Sequence, residues 1–364
     1  MSLKRHSVLI LGASYGSLLG AKLLMAGHHV TLVCTQGTAE LINREGTVVR
    51  FPMKGWQGLL QLPSAALPGC LKACTPAEAI PADFDLVVLG MQEAQYGERS
   101  VRELMGRIAR SNKPCLAIMN MPPLPYLKRI PALAASNLHA DLRHCYADPG
   151  VWDGFEPGLV SLASPDPQAF RPQGEPKNVL QVGLPTNFKA ARFESDAHTA
   201  LLRSLETDIE NARFPGKPDL ELPVKLKVHD SLFVPMAKWP MLIAGNYRCI
   251  RREDMIPIRD AVHGNLDRSR EVYNWVANLC LGLGAHAADL VPFEKYAKAA
   301  EGLGKPSSAA RALFGGAQHI ERVDSLVNTI ATRQGAKNTP LREIVRLVDE
   351  RLAVNRHAAE LVAA

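Results

Sequence analysis

Residues 9–33, LILGASYGSLLGAKLLMAGHHVTLV, decide the fold. An apolar run ends at Gly12. A short glycine-bearing turn follows, then apolar residues at helical spacing that stop at Gly27, then the β-branched HVTLV. Strand, glycine turn, helix and second strand in that order form the opening unit of a doubly wound parallel sheet. A glycine turn at the start of a helix aims backbone N–H groups at a pyrophosphate. A strict GxGxxG is absent: counting from Gly12, Ser14 stands at the second glycine position and Gly16 arrives one residue early. Serine is small enough for close backbone approach, and its hydroxyl can donate. Gly20 on the next turn permits close packing of helix on sheet. A second strand about 13 residues after Gly16 distinguishes this turn from a simple helix start.

Alternation continues outward from that unit. Residues 38–46 read as a short helix closed by Gly46, and TVVRFP with GLLQLP as a hairpin or an excursion of two short strands. DFDLVVLGM (83–91) is a buried strand followed by a helix to about residue 110, and KPCLAIMN (113–120) is another strand. Residues 121–195 are proline-rich and read as loops and edge strands, with LVSLAS (159–164) and VLQVGLP (179–185) extending the sheet. HTALLRSLETDIENA (198–212) is helical. FPGKPDLELP (214–223) marks the domain boundary. Beyond it strand signals vanish, and 226–248, 257–284, 290–302, 307–315, 318–334 and 340–357 carry helical periodicity. The expected architecture is α/β: a Rossmann-like doubly wound parallel sheet over 1–213 and an all-helical domain over 214–364.

Composition narrows the partners. The 364 residues are 47% hydrophobic and 21% charged, a globular balance able to bury a core without staples. The formal charge of +6 is mild and no Lys/Arg tract is clustered, which argues against nucleic acid. No apolar run approaches the roughly 20 residues of a membrane span. Seven scattered cysteines and eleven histidines show no metal-ligand spacing, so no metal is expected, and free thiols suit a reducing cytoplasm.

Cofactor choice is read after the second strand, where an acid selects the ribose hydroxyls of NAD and an arginine the phosphate of NADP. Cys34, Thr35, Gln36, Gly37 and Thr38 offer neither. The missing repulsion favours NADP and leaves NAD open. The expected cofactor-binding residues are Gly12, Ala13, Ser14, Tyr15, Gly16, Ser17, Thr35, Gln36, Gln92 and Asn120.

YGSLLGAKLLMAGHHVTLV (15–33), MAKWPMLIAGN (236–246) and GKPSSAARALFGGAQHIERVD (304–324) together resemble the ketopantoate reductase family. The resemblance covers about half the chain, at both ends, and leaves 121–225 outside it. It implies a C-terminal domain like that of 6-phosphogluconate dehydrogenase, pairing into homodimers, and reduction of a small 2-keto acid held in the cleft between domains. It implies that Lys238 protonates the developing alkoxide, with Asn246 and Glu321 beside it and Asn120, Asn246, Ser307 and Ser308 on the substrate. The residue type agrees, since an ammonium stabilises the negative charge that forms on a carbonyl oxygen. A lysine on a solvated stripe, its stem across Trp239, is the plainer reading of Lys238. Ser307 and Ser308 equally suit a helix cap. Asp324 is the alternative to Glu321, and His319 is a spare acid.

Departures from the family pattern suggest a relative with another substrate, with 2-dehydropantoate 2-reductase activity left open. Leu242 stands where the family tends to place an asparagine. Met121, Pro122 and Pro123 follow Asn120 in place of glycine, and Met91–Gln92 replaces a Val–Lys pair. Three alternatives remain: an opine-type dehydrogenase, a non-catalytic NADP-binding or redox-sensing protein, and an assembly protein without cofactor.

Overall fold

The buried run Ser7–Leu11 forms β1, an interior strand of an eight-stranded sheet in a computed structural model that describes residues 4–53, 57–134, 138–217 and 219–363. In chain order the other strands are β2 (His29–Val33), β3 (Val48–Pro52), β4 (Leu59–Pro63), β5 (Cys70–Cys74) and β6 (Leu86–Leu89). They continue with β7 (Cys115–Ile118), β8 (Val160–Ser164), β9 (Gln168–Phe170), β10 (Val179–Leu184), β11 (Phe188–Ala191) and β12 (Leu226–His229). The large sheet runs β12-β11-β8-β7-β6-β1-β2-β5 and is parallel except where β11 meets β8. Val8 to Leu11 have no exposed surface, because both faces of β1 are covered; hence the continuous apolar run. The strand order reverses at β1, between β2 and β6, which is where open α/β sheets bind ligands.

The residues that form a hairpin do so, β3 against β4, but they belong to a second sheet ordered β4-β3-β10-β9. VLQVGLP therefore does not extend the main sheet as expected. Its β10 pairs in parallel with β3, and Leu180 and Val182 enter the same core as Val49, Phe51, Leu60 and Leu62. Nor is 121–195 wholly irregular: Leu124–Leu127, Pro131–Ala134 and Leu138–Leu142 are short helices.

Strand structure does not end at 213. In β12, buried Leu226 and Val228 alternate with part-exposed Lys227 and His229, a half-buried edge strand inside a segment expected to be helical. The helix Asp196–Asn211 packs on it, and Lys227 Nζ meets Glu210 Oε2 at 2.6 Å. The compact units accordingly divide at Asp230/Ser231. The first comprises Met1–Met91, Gln95–Tyr126 and Gly150–Asp230; the second comprises Gln92–Ala94, Leu127–Pro149 and Ser231–Ala364.

The second unit is helical. Its main helices are Ile258–His263, Leu266–Gly282, Phe293–Ala300, Ser308–Phe314, Val323–Arg333 and Thr339–Ala363. Residues 234–249 do not form one regular helix. A 3-10 turn (Val234–Lys238), a short α-turn (Trp239–Met241), a π-turn (Leu242–Asn246) and another 3-10 turn (Tyr247–Cys249) follow one another. Pro235 and Pro240 lack the amide that continuous α-helical bonding needs. No helix among the described residues is long and apolar enough to cross a membrane.

Candidate active site

In the first unit the turn after β1 sits against β6. Gly12 has φ of +100°, and a Cβ there would lie 2.7 Å from Met91 Cγ and 3.0 Å from the Gly90 carbonyl oxygen. A Cβ on Gly16 would lie 2.6 Å from Ile10 Cγ2, so only glycine lets the helix Gly16–Met25 start this close to β1. Gly20 is different: its nearest neighbour would be Val30 Cγ1 at 3.5 Å, an ordinary contact, so close packing does not require it. Gly90 faces the turn from β6, donating to the Leu11 carbonyl at 3.0 Å, with a would-be Cβ 3.6 Å from Gly16 Cα.

The other turn residues divide by what their side chains do. Ser14 is half-buried and its hydroxyl has no protein partner among the described residues, leaving it open to a phosphate oxygen. Ala13 is buried. Ser17 is buried, and its hydroxyl donates to the Ala13 carbonyl at 2.6 Å, which shapes the turn instead of facing outward. Tyr15 reaches sideways: its hydroxyl donates to the Pro167 carbonyl at 2.5 Å and its ring meets Phe188 edge-on at 5.8 Å. Burial, then Asp166, keeps its phenol well above the ordinary range. After β2, exposed Thr35 bonds Thr38 Oγ1 at 3.0 Å, and the Gln36 amide is held on the helix surface by Glu40 at 2.7 Å. Asn120 is half-buried just past β7.

The second unit gathers the remaining candidates. Lys238 is half-buried at the end of its 3-10 turn, while Trp239 is fully buried in the core. Eight residues along a regular α-helix would carry Asn246 about 80° past the Lys238 face. The π-turn between them holds more residues per turn and reduces that offset. Ser307 is buried; its hydroxyl donates to the Asn246 carbonyl at 2.7 Å and caps the next helix by accepting from the Ala310 amide at 3.1 Å. Its proton is thereby committed to fixing the Asn246 turn, whereas Ser308 is exposed. Tyr247 donates to the Glu321 carbonyl and accepts from the Val323 amide, tying the Glu321 loop to the same turn. Glu321 is half-buried. Asp324 has no exposed surface and makes a double contact with Arg322, at 3.0 and 3.0 Å, so it forms a buried ion pair. Gln92 is exposed and groups with this unit.

Glu93, near Glu321, is a buried acid that the sequence pattern does not disclose. It is 2% exposed and accepts the Ala147 amide at 3.1 Å, yet burial and the nearby Glu321 push its carboxyl up to about 7. Nothing in the sequence near Glu93 announces burial, because its amide partner lies 54 residues away. Ala147 also lines a cavity of about 610 Å³ with Tyr146, Gln318, His319 and Arg356. Burial lowers His319.

No family model matches the chain, and no curated protein matches it in sequence. Solved structures do. A putative ketopantoate reductase from Ralstonia solanacearum superposes with a TM-score of 0.64 at 14% identity, covering 97% of this chain and 99% of the other. A probable 2-dehydropantoate 2-reductase from Bacillus subtilis gives 0.60 at 16%, covering 95% and 99%. D-mandelate dehydrogenase, solved with NADH and anilino(oxo)acetate, gives 0.62 at 12%, covering 96% and 99%. The chain thus has the fold of the ketopantoate reductases along nearly its whole length.

Proposed function

We propose that this chain is an NAD(P)H-dependent oxidoreductase of the ketopantoate reductase kind, reducing the carbonyl of a small 2-keto acid. The observation that carries the reading is the turn from Gly12 to Gly16. It lies at the point where strand order reverses, and two of its glycines have no room for a Cβ. Its amides and the Ser14 hydroxyl would hold the pyrophosphate, and Asn120 would contact the nicotinamide ribose or the substrate. The bound cofactor would supply the hydride. Lys238 would hold the proton delivered to the substrate oxygen. Asn246, Ser308 and Glu321 would orient the substrate, with Ser307 and Tyr247 keeping the Asn246 and Glu321 segments together. The departures at Leu242 and Gln92 from the family pattern support a keto acid other than ketopantoate.

The test is a panel of 2-keto acids, aliphatic and aromatic, followed by loss of reduced-nicotinamide absorbance. Lys238→Ala should lower kcat by about 10²–10⁴-fold while dinucleotide binding persists. A Lys238→Ala variant turning over at the wild-type rate would remove Lys238 from the chemistry.

A further inference from the structure

We propose that Arg171, carried by the second sheet and remote in sequence from the dinucleotide fold, binds the 2′-phosphate of NADP and sets the preference for it over NAD. This rests on the dinucleotide reading above.

The segment after β2 brings no cation: Thr35 and Gln36 are occupied by Thr38 and Glu40. The fold supplies one from elsewhere. Strand β9 begins where the chain touches the glycine turn, since the carbonyl of Pro167, just before it, takes the Tyr15 hydroxyl. Arg171 follows β9 directly, about 13 Å further on for an extended chain. Along the strand, Ala169 packs on the same core that takes Tyr15 and Cys34, the residue just past β2. At the far end the guanidinium is within electrostatic reach of Cys34: burial and Cys74 push that thiol up to about 11, with Arg171 pulling it down. Strand β9 therefore leaves the glycine turn at Pro167 and carries Arg171 at its far end, on the side of Cys34. A dinucleotide likewise extends from its pyrophosphate at the glycine turn toward its adenosine ribose at the end of the second strand.

The local charges leave Arg171 available. Among the described residues it has no carboxylate partner, and the residue is exposed. The nearby acids are engaged elsewhere: Asp166 lies 3.4 Å from Lys189 Nζ, and Glu78, beside Cys74, accepts from the Thr75 amide and hydroxyl at 2.8 Å each. A planar guanidinium suits bidentate contact with a phosphomonoester.

The experiment is calorimetric titration of the full chain with NADPH, NADH and 2′,5′-ADP, which carries the 2′-phosphate but no nicotinamide. Wild type should bind NADPH more tightly than NADH. Arg171→Ala should weaken NADPH and 2′,5′-ADP by about 10- to 100-fold and leave NADH unchanged, with Arg171→Lys in between. Unchanged melting would show that the exposed side chain was removed without harm to the fold. Equal losses for NADPH and NADH, or no loss, would overturn the assignment. Wild type that binds NADH as tightly as NADPH would overturn it and leave the reductase reading standing. Wild type that binds neither would overturn both.

Discussion

Glu93→Gln should change how stability depends on pH, with a sign and size that follow from its surroundings. The carboxyl is pushed up to about 7 from an ordinary 4.5, chiefly by burial and then by Glu321, while the Ala147 amide pulls it down. Below about pH 4.5 both folded and unfolded chains hold the proton, and the group adds no pH dependence. Between about 4.5 and 7 the folded chain keeps a proton that the unfolded chain has released, so stability falls as pH rises. Above 7 the loss is complete: 2.5 pH units at 1.36 kcal/mol each is about 3 kcal/mol. Glutamine keeps an oxygen for the Ala147 amide and has no charge to bury. The gain in melting temperature of Glu93→Gln over wild type should therefore be small at pH 5 and about 6–12 °C at pH 8. Paired thermal scans at the two pH values measure it. A difference that does not change with pH would refute the claim that Glu93 is buried as a titrating acid.

Lys22 gives the opposite slope. It is 1% exposed, its ammonium donates to the Leu222 and Pro223 carbonyls at 3.2 and 3.1 Å, and burial, with Lys225 adding to it, lowers it to about 7. The unfolded chain then holds more protons from about pH 7 to 10.5, so stability rises with pH across that window, and Lys22→Met should flatten the rise in thermal scans. Gly16→Ala should cost about 1–3 kcal/mol in urea unfolding and weaken dinucleotide binding, because its methyl meets Ile10 Cγ2 at 2.6 Å. Gly20→Ala, with only ordinary contacts, should be neutral or stabilising by up to about 1 kcal/mol in the same assay.

What the sequence disclosed, and what it concealed, follows from the range of the interactions. The order β1, glycine turn, helix, β2 is specified locally: a doubly buried strand must be continuously apolar, and a turn without room for Cβ must contain glycine. Strand β12 was hidden because LKVH is only four residues long and adjoins an apolar helical stretch, so its alternation was absorbed into the longer period. Strand β5, CLKAC, is a five-residue edge strand in which only Ala73 is buried, so it carries no apolar run that marks a strand. Residues 179–184 have the same pattern whichever sheet they join, and only pairing with β3, over 120 residues earlier, decides it. The candidate site divides similarly. Lys238, Asn246 and Glu321 were legible as residue types in order, but the hydrogen bonds that hold Asn246 to Ser307 and Tyr247 to Glu321 span 61 and 74 residues. Glu93 owes the upward shift of its carboxyl to burial, and Arg171 follows a strand that is brought to the glycine turn by the Tyr15–Pro167 hydrogen bond; neither has a local signature.

The most direct test of the central claim is titration of the purified chain with NADPH and with NADH, following nicotinamide fluorescence, alongside the same titrations of Gly16→Ala. The account predicts saturable binding of at least one of them at micromolar concentration, weakened in the variant. Absence of binding of either dinucleotide at millimolar concentration would contradict it and reduce the Gly12–Gly16 turn to the start of a helix.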